Sequence, residues 1–207
     1  MTQIPLPFSD EYSGLHQLPS LPEHFTGREQ ELQILKQLGL AGGSGTIITI
    51  SNVQGMGGIG KTALAIVAGY ALRERFPDAQ FFLKLNTYSL DEHMRSVEQV
   101  RDDVIRAFYP GAMLSNDSTA LWNLYRTALS NKRCLLILDD VRDDEQVAPL
   151  LPPPSCAAIL TSRKSLASGL PLRLDILSRA ESIELLQLLC TRLTESEAND
   201  LADACGD

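Results

Sequence analysis

A glycine-rich loop between two apolar runs constrains this chain more than any other feature. Residues 46–53, TIITISNV, are mostly β-branched and apolar, which predicts a buried strand. Residues 55–62, GMGGIGKT, follow it and fit the pattern G-x-x-x-x-G-K-[ST]. Residues 63–68, ALAIVA, predict a helix directly after the loop. A strand, a glycine loop and a helix in this order are the context in which that pattern forms a phosphate-binding loop.

The glycine loop has a physical reason to bind phosphate. Glycines adopt positive φ without a Cβ clash, so the backbone amides can point inward as an anion nest at the positive end of the following helix. Lys61 is placed to reach the β- and γ-phosphates, and the Thr62 hydroxyl to ligate Mg²⁺. A ligand-free turn is the alternative, but it does not explain why Lys and Thr follow the last glycine. The predicted nucleotide-binding residues of the loop are Gly55, Met56, Gly57, Gly58, Ile59, Gly60, Lys61, Thr62 and Ala63.

Composition limits the classes of partner. The 207 residues suit one α/β domain, and a hydrophobic content of 44% is enough for a core. The net charge of −8, from 26 acidic and 18 basic residues, argues against direct binding of this segment to nucleic acid or a membrane surface. The four cysteines are widely separated, and the sequence shows neither a signal peptide nor an apolar run of membrane-spanning length. We expect a cytoplasmic protein with reduced thiols.

A second apolar run ends in two carboxylates. Residues 134–141, CLLILDDV, predict a buried parallel strand with Asp139 and Asp140 at its carboxyl end, where ligand sites in open α/β sheets lie. Asp139 is therefore a candidate Mg²⁺ ligand, and Asp140 a candidate to orient or activate an attacking water. In the alternative interpretation the acidic pair only opens the next turn, together with the acids at 143–145.

Three further apolar runs, at residues 81–86, 156–161 and 172–175, predict the remaining strands of a five-stranded set. Arg163 follows one of them, and from its charge alone a contact with the γ-phosphate and a solvated basic turn are equal alternatives. Ser178 is predicted to cap a helix whose leucines are largely buried.

The first part of the chain has a different character. Residues 1–24 contain several prolines and little apolar periodicity, which predicts an extended tail or linker. Residues 25–29, FTGRE, follow, and Thr26 and Glu29 have the spacing of a capping box for an amphipathic helix. Taken alone, these residues favour the ordinary start of an amphipathic helix packed on the sheet.

Together these motifs resemble the NB-ARC family of signal-transduction ATPases with numerous domains (STAND), over about residues 25–207. Residues 55–62 are close to the family's Walker A motif, 135–141 to its Walker B motif, and 159–163 to its sensor strand. The arginine of that strand senses the γ-phosphate in the family, which favours this role for Arg163.

The entry segment also resembles the family's. In the family the backbone near the Gly–Arg pair holds the adenine, so the resemblance implies nucleotide contacts for Phe25, Gly27 and Arg28. The chain ends before the family's Gly-Leu-Pro-Leu motif, whose proline packs against the nucleotide. We therefore expect a pocket without that lid.

The resemblance implies an α/β fold, a three-layer αβα P-loop NTPase with a five-stranded parallel sheet in the order 5-1-4-3-2. It implies a tail at 1–24, a nucleotide-binding domain at 25–192 and the start of a helical domain at 193–207.

The implied function is an ATP/ADP-binding switch with Mg²⁺ and slow ATP hydrolysis. Lys61, Asp139, Asp140 and Arg163 are the implied catalytic residues, and Thr62 and Asp139 the implied Mg²⁺ ligands. Exchange of ADP for ATP would open a closed resting form and drive self-association of the full-length protein, in regulation or defence. Two alternatives stay open: a transcription regulator with DNA binding outside this segment, and ADP as a structural cofactor without turnover. A metabolic P-loop kinase fits less well, because no acceptor-substrate site is visible.

Overall fold

A parallel sheet forms the centre of the computed structural model, which describes residues 15–41, 45–52, 58–85, 94–114 and 117–205. Its strands are β1 Leu15–Gln17, β2 Ile47–Asn52, β3 Ala79–Lys84, β4 Cys134–Val141, β5 Ala157–Ser162 and β6 Leu170–Leu174. They lie in the order β1-β3-β4-β5-β2-β6, and every neighbouring pair is parallel. The carboxyl ends of all strands therefore lie at one edge, where β2 leads into the glycine loop.

The predicted strand order is confirmed. Counted from the strand before the glycine loop, the order 5-1-4-3-2 corresponds to β6-β2-β5-β4-β3. The predicted count of five was wrong by one, because Leu15–Gln17, assigned to the tail, adds a sixth strand beside β3. The N–H of Leu15 donates to the carbonyl of Asp78 at 3.0 Å. A strand of three residues is too short to show a periodic signal in the sequence.

Helices cover both faces of the sheet. Their bounds are α1 Glu29–Ala41, α2 Lys61–Ala71, α3 Val97–Phe108, α4 Ser118–Leu129, α5 Asp144–Val147 followed by a 3-10 turn Ala148–Leu150, α6 Arg179–Leu189 and α7 Glu195–Cys205. Ser96 caps α3 in a capping box with Gln99, and Asp117 caps α4, since each side chain accepts from a first-turn backbone N–H. No helix in the described ranges is long and apolar enough to cross a bilayer.

The alternation of side chains along β4 divides the core in two. Leu136 and Leu138 pack with α3 and α4, whereas Leu135 and Ile137 pack with α1 and α2 on the opposite face. All four side chains are fully buried. The continuous apolar run of this strand is therefore explained by burial on both sides, and the three-layer αβα prediction is confirmed.

Helix α1 begins later than its capping-box spacing predicted. It starts at Glu29, so Thr26 is not its cap. Gly27 and Arg28 have φ of 65° and 72°, which a right-handed helix cannot include. The carbonyl of Arg28 instead accepts the first helical bond, from the N–H of Leu32 at 2.9 Å.

The predicted burial of α6 was wrong. None of its residues is buried, and Leu188 and Leu189 are 41% and 61% exposed. Among the described elements its main neighbour is α7 rather than the sheet, so its leucines have only one helix to pack against.

Candidate functional site

The end of the glycine loop is wound so that it opens toward solvent. Gly58 and Gly60 have φ of 83° and 92°, the left-handed region that favours glycine. A Cβ added at either glycine would meet no described atom within 4 Å. Gly60 is the residue before α2, which places Lys61 and Thr62 in the first turn of that helix. The predicted loop residues Gly55, Met56 and Gly57 lie outside the described residues.

A hydrogen bond joins the first turn of α2 to the carboxyl end of β4. The Thr62 hydroxyl donates to Asp139 Oδ1 at 2.7 Å, across 77 positions of sequence. Asp139 is 6% exposed, so its carboxylate lies in the floor of the site. A hydroxyl and a carboxylate side by side are oxygen ligands of the kind that Mg²⁺ takes from proteins, with phosphate oxygens and water completing the shell. The residues present therefore fit a Mg²⁺–nucleotide complex.

The two aspartates lie in a β-bulge. Leu138 is opposite Leu160, and Val141 is opposite Ser162, so three steps along β4 match two steps along β5. Asp140 takes up the difference with φ of 64°, a conformation uncommon for residues other than glycine. The sequence predicted a strand with the acidic pair at its carboxyl end, and the register of that strand with β5 shifts at the pair.

Thr161 was not among the predicted site residues. Its hydroxyl donates to Asp139 Oδ1 at 2.7 Å and accepts from the backbone N–H of Asp140 at 2.9 Å. The side chain is 2% exposed. A hydroxyl residue near the carboxyl end of an otherwise apolar run was the signal in the sequence, but its meaning depended on which strand lay beside β5.

The charges of the site interact with one another. Burial, and then the positive charge of Arg163, lower the pKa of Lys61, while the charges of Asp140 and Asp139 oppose that shift. The fold thus brings Lys61, Asp139, Asp140 and Arg163 within electrostatic reach, although they come from three different segments. The two cations and the two carboxylates together carry no net charge.

The guanidinium of Arg28 links the entry turn to two distant segments. One nitrogen donates to Glu31 Oε1 at 3.1 Å, and the other donates to the carbonyl oxygens of Ile59 at 3.3 Å and Asp175 at 2.6 Å. Arg28 is only 7% exposed. The side chain therefore ties the entry turn to the glycine loop and to the connection between β6 and α6.

The neighbours of Arg28 in the entry segment have separate packing roles. A Cβ on Gly27 would lie 2.7 Å from Glu181 Oε1. The absence of that Cβ therefore allows the turn to approach the start of α6 closely. Phe25 is half-buried and packs against the core beneath α1 and α2. Nucleotide contacts of Phe25, Gly27 and Arg28 stay predictions.

Comparison with known protein families decides where this chain belongs. The NB-ARC domain profile matches residues 28–195, from the entry turn to the start of α7. The chain belongs to the NB-ARC family. The resemblance to this family, which was inferred from the motifs, is confirmed.

Two relatives of this NB-ARC chain carry the name "Regulatory protein AfsR". The protein of Streptomyces griseus is 34% identical over 205 residues, which cover 92% of this chain and 20% of the relative. The protein of Streptomyces coelicolor is 34% identical over 203 residues with the same two coverages. The NB-ARC chain thus spans about a fifth of the length of these relatives.

Solved structures share the fold of the NB-ARC chain. The Aeropyrum pernix ORC2 protein in its ADPNP-ADP complexes superposes with a TM-score of 0.62 at 15% identity, over 89% of this chain and 58% of that one. The Drosophila ORC bound to DNA gives 0.58 at 15% identity, over 99% and 58%. At this identity the likeness concerns the fold alone.

Proposed function

We propose that this NB-ARC domain binds ATP and ADP with Mg²⁺ and acts as a nucleotide-dependent switch within a longer regulatory protein. The observation that carries the proposal is the hydrogen bond of 2.7 Å from Thr62 to Asp139. It brings together the hydroxyl at the end of the phosphate-binding loop and the carboxylate at the tip of β4. Separately, each group is common; side by side at the carboxyl edge of a parallel sheet, they form the protein half of a Mg²⁺–phosphate site.

The proposal assigns the site residues to different parts of the nucleotide. Lys61 and the loop amides bind the β- and γ-phosphates, and Thr62 and Asp139 hold Mg²⁺, which supplies electrostatic stabilisation of the phosphate oxygens. The entry turn at Gly27 and Arg28 lies against the adenine. Arg163 contacts the γ-phosphate. Because ATP and ADP differ by this phosphate, the bias between two states of the protein has to arise from such contacts.

Asp140 is the proposed group for hydrolysis. Its carboxylate orients a water molecule and accepts its proton as the water oxygen attacks the γ-phosphorus. The bond from that phosphorus to the β–γ bridging oxygen breaks, and ADP carries the electron pair away. We expect turnover to be slow, as in a switch that must hold its triphosphate state.

The relatives favour regulation over defence as the setting. Both carry the name of a regulatory protein, and this chain matches a fifth of their length. We therefore place the DNA-binding or other output function outside this segment, whose net charge is −8. We also propose a cytoplasmic location, and self-association of the longer protein in its ATP state. Cys134 and Cys156 are free thiols, which suits a reducing compartment.

The test compares Lys61→Ala and Asp140→Ala with the unmodified protein. Binding of ATP and ADP is measured by calorimetry with and without Mg²⁺, and turnover by phosphate release. We expect Lys61→Ala to abolish binding, and Asp140→Ala to keep binding while it lowers phosphate release by about 100-fold or more. Lys132→Ala is the matched control, because Lys132 precedes the opposite end of β4.

Three outcomes separate the hypotheses. If the unmodified protein binds neither nucleotide, the proposal is wrong. If it binds ADP but releases no more phosphate than Lys61→Ala does, the nucleotide is a structural cofactor. If Asp140→Ala hydrolyses ATP at the normal rate, another group activates the water.

A further inference from the structure

We infer that Thr161 is a positioning residue that sets the geometry of both Asp139 and Asp140, an inference that rests on the proposed nucleotide function. The bulge in β4 takes both acids out of the regular pairing with β5, although Asp139 stays in register with Lys84 on β3. Thr161 lies directly opposite, between Leu160 and Ser162, which are the two β5 residues that flank the bulge in the pairing. Its side chain is in place to hold the irregular backbone.

One hydroxyl serves both aspartates. Its hydrogen goes to Asp139 Oδ1 at 2.7 Å, and its oxygen accepts the Asp140 N–H at 2.9 Å. A hydroxyl has one hydrogen to donate, and Thr161 donates it to Asp139. The lone pairs of the same oxygen accept the N–H of Asp140. Because Thr161 is 2% exposed, water does not compete for these bonds.

The bond to Asp140 supports a conformation that is costly for this residue. With φ of 64°, Asp140 adopts the left-handed region, and its N–H points across to β5 instead of continuing the regular ladder. Strain of this kind persists when neighbouring groups hold it, and it clusters at functional sites. The hydrogen bond from the Asp140 N–H to Thr161 stabilises this conformation. The Asp140 side chain consequently leaves the strand in a direction that the regular pleat would not give.

The bond to Asp139 orients the candidate Mg²⁺ ligand. Asp139 Oδ1 accepts from both Thr62 and Thr161. If the Thr62 hydroxyl oxygen were to bind Mg²⁺, the donation from Thr161 would still hold the Asp139 carboxylate in place. Partners of this type outside the ligand set fix the direction of a metal-binding carboxylate and commonly change metal affinity or activity by about 10- to 100-fold when removed.

The test uses Thr161→Val, which keeps the branched shape and removes the hydroxyl. ADP affinity is measured in EDTA and in a Mg²⁺ titration, and ATP turnover is measured at saturating nucleotide. We expect affinity in EDTA within about twofold of normal, a Mg²⁺ dependence of ADP binding weakened by about tenfold or more, and turnover lowered by about 10- to 100-fold. Thr161→Ser restores the hydroxyl and should restore both properties.

Thr49→Val is the matched control. Thr49 is also a buried strand threonine, on β2, and its hydroxyl donates to the carbonyl of Ser168 at 2.5 Å, away from the two acids. Its loss should change stability without changing the Mg²⁺ dependence. If Thr161→Val does not fold, Thr161→Cys keeps the size with a weaker donor and should show a partial loss of the Mg²⁺ effect.

Two results would overturn the inference. One is a normal Mg²⁺ dependence and normal turnover in Thr161→Val, or in Thr161→Cys if that variant has to be used. The other is an equal loss of both properties in Thr161→Val and Thr49→Val. In these cases the proposed nucleotide function stands, because the unmodified protein binds. If the unmodified protein binds no nucleotide, both the function and the positioning role are wrong.

Discussion

Five described residues of the site region have positive φ, and two of them, Arg28 and Asp140, are not glycine. Gly27, Arg28 and Asp140 have φ of 65°, 72° and 64°. At Arg28 and Asp140, side-chain or backbone hydrogen bonds to neighbouring segments hold the unfavourable conformation. At Gly27 the absence of a Cβ permits both the turn and the contact with Glu181. The shape of the site therefore depends on conformations that most residues avoid.

Replacement of Gly27 by alanine tests this dependence. We expect Gly27→Ala to lower the free energy of unfolding by about 1–2 kcal/mol, because in the left-handed region the alanine Cβ lies too close to the following carbonyl oxygen. The added Cβ would also press on the Glu181 side chain, which the capping box with Ser178 holds, so the loss should be no smaller than this backbone effect. Urea unfolding measures the change, and ADP affinity should fall with it because the entry turn shifts.

Gly111→Ala is the control for this replacement. A Cβ there would meet nothing within 4 Å, and Gly111 is not among the positive-φ residues. Its free energy of unfolding should change by less than about 0.5 kcal/mol. Equal effects of the two alanines would contradict the role given to the backbone of Gly27.

At the scale of elements, the start of α6 is joined to the site more firmly than the rest of that helix. Ser178 and Glu181 form a capping box, in which the Ser178 N–H donates to Glu181 Oε2 at 2.7 Å. Glu181 also lies against Gly27, and Arg28 binds the carbonyl of Asp175 just before the helix. Beyond this first turn the leucines stay partly exposed. The contacts of α6 with the entry turn are therefore concentrated at its amino end.

This attachment should depend on pH. Hydrogen bonding by Ser178, followed by the charge of Arg28, lowers the pKa of Glu181 below its ordinary value of 4.5. A carboxyl whose pKa is lowered in the folded state stabilises it above the unfolded-state pKa, and loses that effect as the pH falls through the folded-state pKa. The contribution of Glu181 should therefore be complete at neutral pH and disappear in acid.

Glu181→Gln tests the direction. At pH 7 we expect it to lower the free energy of unfolding by about 0.5–1 kcal/mol, because an uncharged acceptor replaces the carboxylate of the capping box. The gap from the unmodified protein should shrink as the pH is lowered below the ordinary pKa of 4.5 and through the lower pKa of the folded state. Glu184→Gln on the same helix, where the side chain is exposed, should show no such gap at either pH. A gap that widens in acid would contradict the assignment.

At the scale of the whole molecule, residues 15–28 run from one edge of the sheet to the site. β1 pairs with β3 at the edge, and the Tyr70 hydroxyl then donates to the carbonyl of Pro19 at 3.0 Å. A Cβ added at Gly69 would lie 3.2 Å from Leu18 Cδ1, so the missing side chain on α2 makes room for Leu18. The described part of the predicted linker is therefore paired with the sheet through β1 and packed on the helix after the glycine loop at Leu18 and Pro19.

Leu18→Ala measures how firmly this segment is held. Because Leu18 is half-buried against α2, we expect the free energy of unfolding to fall by about 1–2 kcal/mol, below the range for fully buried leucines. Leu21→Ala, in the same segment but 50% exposed, should change it by less than about 0.5 kcal/mol. Urea unfolding of both variants provides the comparison, and equal values would show that the segment is not specifically packed.

Local patterns in the sequence predicted β2, the glycine loop, α2 and the acidic end of β4. Glycine spacing and apolar runs govern the conformation of residues close together in the chain, so these elements could be predicted without the fold. The motif resemblance predicted the family and the sheet order, and both are confirmed. The individual roles of Lys61, Thr62, Asp139, Asp140 and Arg163 stay predictions, although the fold brings these residues together.

Only the tertiary structure decided how the site is held. The bulge at Asp140 and the double contact of Thr161 depend on which strand lies beside β4, across 22 positions from Thr161 to Asp139. The bond from Arg28 to Asp175 spans 147 positions. A single sequence carries no local signal for such pairings, because the hydrogen-bonding groups look alike until the fold places them within 3 Å of each other.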